Sequence, residues 1–310
     1  MMRVLFFGTS PFAVPSLEAL LHSSHEVTGI VTQQDKLAGR GRKLTSPPVA
    51  VMAREKGIPL YQPESLKDQS LWTPWQKMRP ECFVVVAYGN FLPKALMALP
   101  PKRCVNLHPS LLPKYRGAAP INWAILNGDT VTGVTTMYIG NAMDAGDILL
   151  QCEVPIDPNE TASDLADRLA PIGAELLVKT LDRLAAGSLA ATPQDEARVV
   201  LAPALKKEDG LINWKRPSAE LINHIRGMQP WPNAYTHLQS AQLTVFLAEL
   251  LDEPTDATPG TIVKLTRAIH IATGDHRQLC LTDVQLAGTR RMPSSDFLRG
   301  HRLEPGIVLT

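Results

Sequence analysis

The chain begins with a continuous apolar run, residues 4–7. Gly8-Thr9-Ser10-Pro11 interrupts it, and apolar positions then recur at Val14, Leu17, Leu20 and Leu21. This pattern predicts a strand buried on both faces, a tight turn and a helix. Ser10 is the candidate N-cap, with Pro11 at the first helical position. Residues 26–32 (EVTGIVT) read as the next strand of a βαβ unit. Residues 47–56 and 66–78 carry helical patterns, and 58–61 a short strand. Residues 82–87 (CFVVVA) form a strongly apolar central strand, and 104–108 a shorter one. Residues 131–139 and 147–155 are rich in β-formers. A long helical pattern covers 161–186, with Leu165, Leu169, Leu176 and Leu177 on one side. Thr161 and Asp164 approximate a capping box, Pro171 should kink or divide the helix, and Gly187 should end it. Strands alternating with helices imply a mostly parallel sheet, with its ligand crevice at the carboxyl ends of the strands. The loops 88–93 and 108–113 both leave such ends.

The pattern changes after Ser188. Residues 188–206 are polar and proline-containing, and read as a linker between a domain at 1–187 and another at 207–310. Beyond it, β-like segments recur at 243–247, 260–265, 269–273 and 279–286, separated by turn signals such as Thr258-Pro259-Gly260. Short strands with turns between them suggest a small β-barrel. Nine cations, among them Arg216, Arg226, Arg291 and Arg299, are candidates for a positive face on it.

Composition narrows the field. The 310 residues suffice for two domains, and at 45% hydrophobic they can build the cores. With 31 Lys+Arg against 30 Asp+Glu, any nucleic-acid contact must come from a local patch. One such patch is the stretch 33–48, QQDKLAGRGRKLTSPP, too polar and too rich in Gly and Pro for a regular element. Its Lys36, Arg40, Arg42 and Lys43 can neutralise phosphates, and Gly39 and Gly41 let the loop fold closely on a ligand. A solvated basic loop is the plainer account. Four dispersed cysteines without C-x-x-C spacing fit reduced thiols in a cytoplasmic protein. The apolar run at the N-terminus is too short for a signal peptide, and no stretch approaches the length of a membrane span.

The candidate chemistry lies in residues 104–149. Asn106 and His108 alternate with Val105 and Leu107, so on a strand they face one side. Buried polar groups need partners, and two together at a sheet's carboxyl edge can hold an acyl group and move a proton. The plainer account is a satisfied amide and imidazole. Asp144 lies on the Gly-containing loop 141–147, where a turn-forming role competes with a functional one. Gly8 alone is not a dinucleotide fingerprint, and no Gly-x-Ser-x-Gly, His-Glu-x-x-His or P-loop pattern occurs.

At NLHPSLLPKYRGAAPINWAI, with MDAGDIL after it, the chain resembles the 10-formyltetrahydrofolate-dependent formyltransferases. The resemblance extends from VLFFGTSPFAVPSLEALL through VVVAYGNFLP to Gln229-Pro230-Trp231-Pro232. It implies a Rossmann-like N-terminal domain, a smaller OB-like β-barrel C-terminal domain, and formyl transfer to an amine without a metal. Asn106, His108 and Asp144 fall on the family's catalytic positions. Ser110, Leu111, Leu112 and Pro113 fall on its folate-binding segment. The loop holding Val86, Tyr88, Gly89, Phe91 and Leu92 should line the pterin pocket, largely through backbone groups. The AGRGRKL loop points to the branch whose acceptor is initiator methionyl-tRNA, with Lys36, Arg40, Gly41, Arg42 and Lys43 as its nucleic-acid contacts. A cytoplasmic monomer is expected. The chain departs from the family's usual residues at Asn90, Gly140, Ala142 and Ala145. Acceptors other than tRNA, amino sugars among them, stay open, as does a non-enzymatic RNA-binding module on the same folds.

Overall fold

The structure, a computed structural model, describes residues 1–38 and 43–310. In chain order the first elements are β1 (Arg3–Gly8), α1 (Val14–Leu21), β2 (Glu26–Val31), β3 (Lys36–Ala38), β4 (Lys43–Thr45), α2 (Pro48–Glu55), β5 (Leu60–Tyr61) and α3 (Trp72–Lys77). Next come β6 (Cys82–Val86), α4 (Lys94–Met97), β7 (Cys104–His108), β8 (Arg116–Gly117), α5 (Pro120–Leu126), β9 (Val131–Tyr138), β10 (Ile148–Pro155) and α6 (Ala162–Ala185). The rest are β11 (Leu201–Ala202), α7 (Ser218–Gly227), β12 (Ala234–Leu238), β13 (Ala241–Leu251), β14 (Ile262–Leu265), β15 (Ile269–Ala272), β16 (Gln278–Leu286), β17 (Met292–Pro293) and α8 (Ser294–Gly300).

Two compact units result. One comprises Met1–Gly117, Val131–Pro155 and Ala166–Ala202; the other comprises Ala118–Thr130, Ile156–Leu165 and Pro203–Thr310. A single cut at 188–206 therefore does not describe the division. Most of the expected linker belongs to the first unit, where β11 pairs in parallel with β8.

The first unit is built on a seven-stranded sheet in the order β10-β9-β7-β6-β1-β2-β5. Its central strands are parallel, while β9 and β10 are antiparallel additions. This is the mixed, mostly parallel sheet that the alternating pattern predicts. Burial of apolar runs on both faces drives it: Val4 to Phe7 and Cys82 to Val84 are wholly buried. Beside the sheet, Phe7 meets Trp75 and Tyr88 edge to face at 5.9 and 5.6 Å, and Phe83 at 5.2 Å. The carboxyl ends lie in register, Gly8 opposite Val86 and Val86 opposite Leu107. The chain leaves β1 toward β2 on one side, whereas β6 and β7 lie on the other. The loops after β1 and β6 thus diverge at a topological switch point, where such sheets bind ligands.

Three expectations are corrected. The basic stretch does form a regular element at its flanks: β3 and β4 pair antiparallel, Leu37 opposite Leu44. Both leucines are exposed, so backbone hydrogen bonds rather than burial hold the ribbon. The helix expected over 66–78 is reduced to a 3₁₀ turn and α3, because Asp68 accepts the Ser70 N–H and starts the turn locally. Of the two outcomes expected at Pro171, a kink or a division, division does not occur: α6 runs unbroken over 24 residues. The proline stands on the exposed face, where water can meet the carbonyl that lacks its N–H. Ser10 occupies the expected cap position but makes no side-chain cap bond. Among the described residues no helix is long and apolar enough to cross a membrane.

The second unit carries an antiparallel sheet in the order β12-β13-β16-β15-β14, with β17 paired on β16. Its core gathers Trp214, Leu221, Ile225, Val245, Ile271, Leu281 and Phe297. The Trp214 indole N–H donates to Thr236 Oγ1 at 3.0 Å, so the ring is buried without an unpaired donor. The capping box forms: Thr161 N–H donates to Asp164 Oδ2 and Asp164 N–H to Thr161 Oγ1. Several of the cations expected on a positive face are bound internally. Arg216 pairs with Glu220, Arg291 with Asp283 and Arg299 with Asp296, while Arg226 donates to the carbonyls of Asp157 and Pro158.

In the first unit Gly133 on β9 lets the loop after β7 settle on the sheet. A Cβ there would meet Leu111 Cδ2 at 2.6 Å and also strike the Cys152 carbonyl. Gly133→Val should therefore lower unfolding stability by about 1–3 kcal/mol, the usual cost of overpacking. A urea melt checks this, and an unchanged midpoint would contradict the packing described.

Candidate active site

His108 ends β7 at the sheet's carboxyl edge and is buried. Its Nε2 lies 2.9 Å from the carbonyl of Tyr115. A carbonyl only accepts, so Nε2 carries the hydrogen in that contact. Nδ1 is the nitrogen left to exchange a proton, and it faces Asp144 Oδ2 at 3.7 Å. Burial pushes the imidazole below its ordinary pKa, opposed first by the Asp144 carboxylate and then by the bond to the Tyr115 carbonyl. The balance leaves a neutral ring with a carboxylate beside its free lone pair. Such a ring can take a proton at Nδ1 and have the resulting charge met at once.

Asp144 is held from two directions. Its Oδ2 accepts the Gly117 N–H at 2.9 Å, and its carbonyl accepts from Gln194 Nε2 at 2.7 Å. Its backbone lies in the left-handed region at φ 50°, uncommon for a side chain other than glycine. Asn106, two residues before His108 on β7, is half-buried. Among the described residues its side-chain amide makes no hydrogen bond, so its donors are free for a bound oxygen. The structure thus brings His108 and Asp144 together, with Asn106 one strand repeat away.

The remaining expected residues divide by what their side chains already do. Ser110 is fully buried, and its hydroxyl donates to the Lys114 carbonyl at 2.6 Å. Thr135 Oγ1 donates to the Ser110 carbonyl and accepts the Leu112 N–H; Gln151 Nε2 donates to the Leu112 carbonyl. Leu112 is buried, and Leu111 and Pro113 are half-buried. The segment 110–113 is therefore a pinned loop, its backbone largely bonded within the protein, that can offer a ligand partial apolar surface but not the Ser110 hydroxyl. Val86 and the Tyr88 ring belong to the core. The Tyr88 carbonyl accepts from Thr9 Oγ1 and Gln33 Nε2. Gly89 at φ 84°, the exposed Phe91 and the half-buried Leu92 are what the β6 loop has left to present. Lys36 and Lys43 are exposed on the β3–β4 ribbon, and Lys36 Nζ donates to Gln33 Oε1. Arg40, Gly41 and Arg42 lie outside the described residues.

Sequence reading assigned no role to Thr9, Gln33, Arg116, Thr135, Gln151 or Gln194. Each acts through bonds to chain distant in sequence; Thr9, Gln33 and Arg116 stand within the quoted stretches, and the other three lie outside them. Burial pushes the Cys82 and Cys104 thiols up, so neither is a ready nucleophile. A cavity of about 380 Å³ lies at the opposite, amino edge of the sheet, lined by Arg3, Trp75, Arg79, Glu81, Phe83 and Leu99 among others. None of the residues above reaches it. Among the described residues no three His, Cys, Asp or Glu side chains gather as a metal-binding group.

NMR titration of histidine-labelled protein tests the electrostatics. His108 should appear as the Nε2–H tautomer when neutral, with a midpoint below 6.5. Asp144→Asn removes the largest influence that raises it, so the midpoint should fall further. A wild-type midpoint above 6.5 would contradict the dominance of burial.

The formyl transferase family matches residues 2–181, and the C-terminal domain of formyl transferases matches residues 204–302. A methionyl-tRNA formyltransferase of Syntrophus aciditrophicus is 44% identical over 306 residues, 99% of this chain and 98% of that one. One of Moorella thermoacetica is 44% identical over 308 residues, 99% of each. Among solved structures, an N-formyltransferase of Helicobacter canadensis in complex with folinic acid and dTDP-3-aminofucose superposes with TM-score 0.69 at 20% identity, covering 91% of this chain and 99% of that one. HypX of Aquifex aeolicus superposes with TM-score 0.67 at 18% identity, covering 98% of this chain and 49% of that one. These two likenesses concern the fold. Two matched domains and near-full-length relatives place the sequence beyond chance similarity: the chain belongs to the formyl transferase family.

Proposed function

We propose that this chain transfers the formyl group of 10-formyltetrahydrofolate to the free amino group of initiator methionyl-tRNA. The observation that carries the chemistry is the buried His108 with Nδ1 turned to Asp144, one strand repeat from the unbonded Asn106 amide. The acceptor rests on the full-length relatives, which bear the name methionyl-tRNA formyltransferase. The residues present fit a formyl donor. An amide donor and an imidazole stand at one sheet edge, and the loop after β6 presents an exposed Phe91 for its aromatic part.

In this reading the neutral amine attacks the formyl carbon. A new C–N bond forms as the carbonyl electrons move onto oxygen. The Asn106 amide donates to that oxyanion, where one lost donor costs roughly 10²–10³ in rate. The amine's proton passes to His108 Nδ1, and Asp144 stabilises the imidazolium. The oxyanion's electrons then re-form the carbonyl as the C–N bond to the folate nitrogen breaks, and Nδ1 returns the proton to that nitrogen. One proton moves from amine to leaving group, so the balance needs no other reactant.

The β3–β4 ribbon supports the acceptor assignment. It exposes Lys36, Leu37, Lys43 and Leu44, which flank Arg40 and Arg42 in sequence. Exposed basic groups meet phosphates, and such affinity is salt-dependent.

One assay tests both halves. Donor labelled in its formyl group is supplied with charged initiator tRNA, then with a nucleotide-linked amino sugar, then with neither. Transfer to the tRNA alone is expected; transfer to the sugar instead would move the chain to another branch of the family. In the same assay Asn106→Ala should lower kcat by about 10²–10³. Arg40→Ala should raise KM for the tRNA without altering folate affinity.

A further inference from the structure

We propose that Gln194 is a positioning residue for the reaction: its amide clamps the turn from Asp144 to Gly146, so that the Asp144 carboxylate stands beside His108 Nδ1. The proposal rests on the reading of His108 and Asp144 given above, and adds what holds them in place.

The Gln194 amide has two N–H donors and one carbonyl acceptor, and all are engaged. Nε2 donates to the Asp144 carbonyl at 2.7 Å and to the Gly146 carbonyl at 2.8 Å. Oε1 accepts from Arg116 Nε at 3.0 Å. Carbonyls only accept and a guanidinium only donates, so the partners fix which end of the amide is nitrogen. Arg116 is itself buried, and its two remaining nitrogens form a bidentate pair with Glu196 at 3.1 and 2.8 Å.

These bonds close a ring. Gly117 N–H holds the Asp144 carboxylate, Gln194 holds the Asp144 carbonyl, and Arg116, bonded covalently to Gly117, holds Gln194. The same short stretch supplies the Tyr115 carbonyl that fixes His108 Nε2. Three consecutive residues, Tyr115 to Gly117, thus reference the imidazole, the carboxylate and the clamp to one another. The segment that carries Gln194 is tied to that stretch again: Arg116 N–H donates to the Val200 carbonyl, and β11 pairs with β8.

The clamp answers a specific need. Asp144 sits at φ 50°, a region uncommon outside glycine though better tolerated by aspartate than by most residues. The Tyr138 N–H bond to the Asp147 carbonyl holds the end of the turn, and the Gly117 N–H holds the carboxylate. Two further bonds from Gln194 on the carbonyls of Asp144 and Gly146 fix the backbone between them. Only a glutamine fits the position: glutamate would set a carboxylate against two carbonyls, and asparagine is one methylene short. A displacement of about 1 Å in such a group can cost about 10² in rate.

The test uses the full-length enzyme and two variants, Gln194→Glu and Gln194→Ala. Gln194→Glu keeps the shape and the Arg116 contact but loses both donors. Both variants should lose about 10- to 100-fold in kcat, with KM for donor and acceptor within about threefold of wild type. Thermal unfolding should show that Gln194→Glu remains folded at the assay temperature. In Gln194→Ala the NMR midpoint of His108 should fall, as the carboxylate's influence is withdrawn; a purely structural role would leave that midpoint unchanged. Near-normal kcat in both variants, or a lowered kcat with an unmoved His108 midpoint, would overturn the clamp. Asp144→Asn is run alongside to separate the two claims. If it is inactive while the Gln194 variants are normal, only the clamp fails. If it is active, the underlying reading of Asp144 fails, and the clamp with it.

Discussion

A buried imidazole with one nitrogen tied to a carbonyl can exchange protons only through the other. In this protein the tie is the Tyr115 carbonyl, and the remaining nitrogen, Nδ1, faces the Asp144 carboxylate at 3.7 Å. Much of the first unit serves that constraint. Burial keeps the ring neutral until a proton arrives, and the carboxylate makes the charged ring tolerable once it has. Neither effect suffices alone. Without burial the carboxylate and the Tyr115 bond would hold the ring's midpoint above that of an ordinary histidine, and without the carboxylate its imidazolium would stand buried and unpaired.

The sheet explains why such a pair can be held with precision. Residues at the ends of β6 and β7 inherit the register of strands buried on both faces, so Asn106 and His108 cannot shift without moving the core. The loop after β7 is fastened onto β9 and β10 through Thr135 and Gln151, and Gly133 gives Leu111 room to seat. Asp144 comes from the loop between the same two strands, β9 and β10. Nucleophile-facing groups therefore come from rigid strands, and the carboxylate from a loop that needs separate support.

The sequence was legible where chemistry and local pattern coincide. Residues 4–7 and 82–87 announce buried strands because continuous apolar runs have nowhere else to go. Asn106 and His108 stand out because two polar groups share one face of such a strand. Asp144 was recognisable as a carboxylate on a Gly-containing loop, although only the structure shows it reaching His108. What stayed hidden depends on bonds across long separations. Gln194 lies 50 residues beyond Asp144 in a polar segment without periodicity, so it read as linker. Tyr88 and Ser110 lie on the loops expected to hold folate, but the ring packs in the aromatic core and the hydroxyl donates to the Lys114 carbonyl. Local composition cannot say which partner a side chain will meet.

The central claim is that His108 and Asp144 act as one proton-handling unit. Its most direct test is a double-mutant cycle on single-turnover formyl transfer, with His108→Ala, Asp144→Asn and the two combined. Groups that act together lose their function once, so the double variant should be within about threefold of His108→Ala alone. Losses that multiply, each variant reducing the rate by its own factor, would contradict the account.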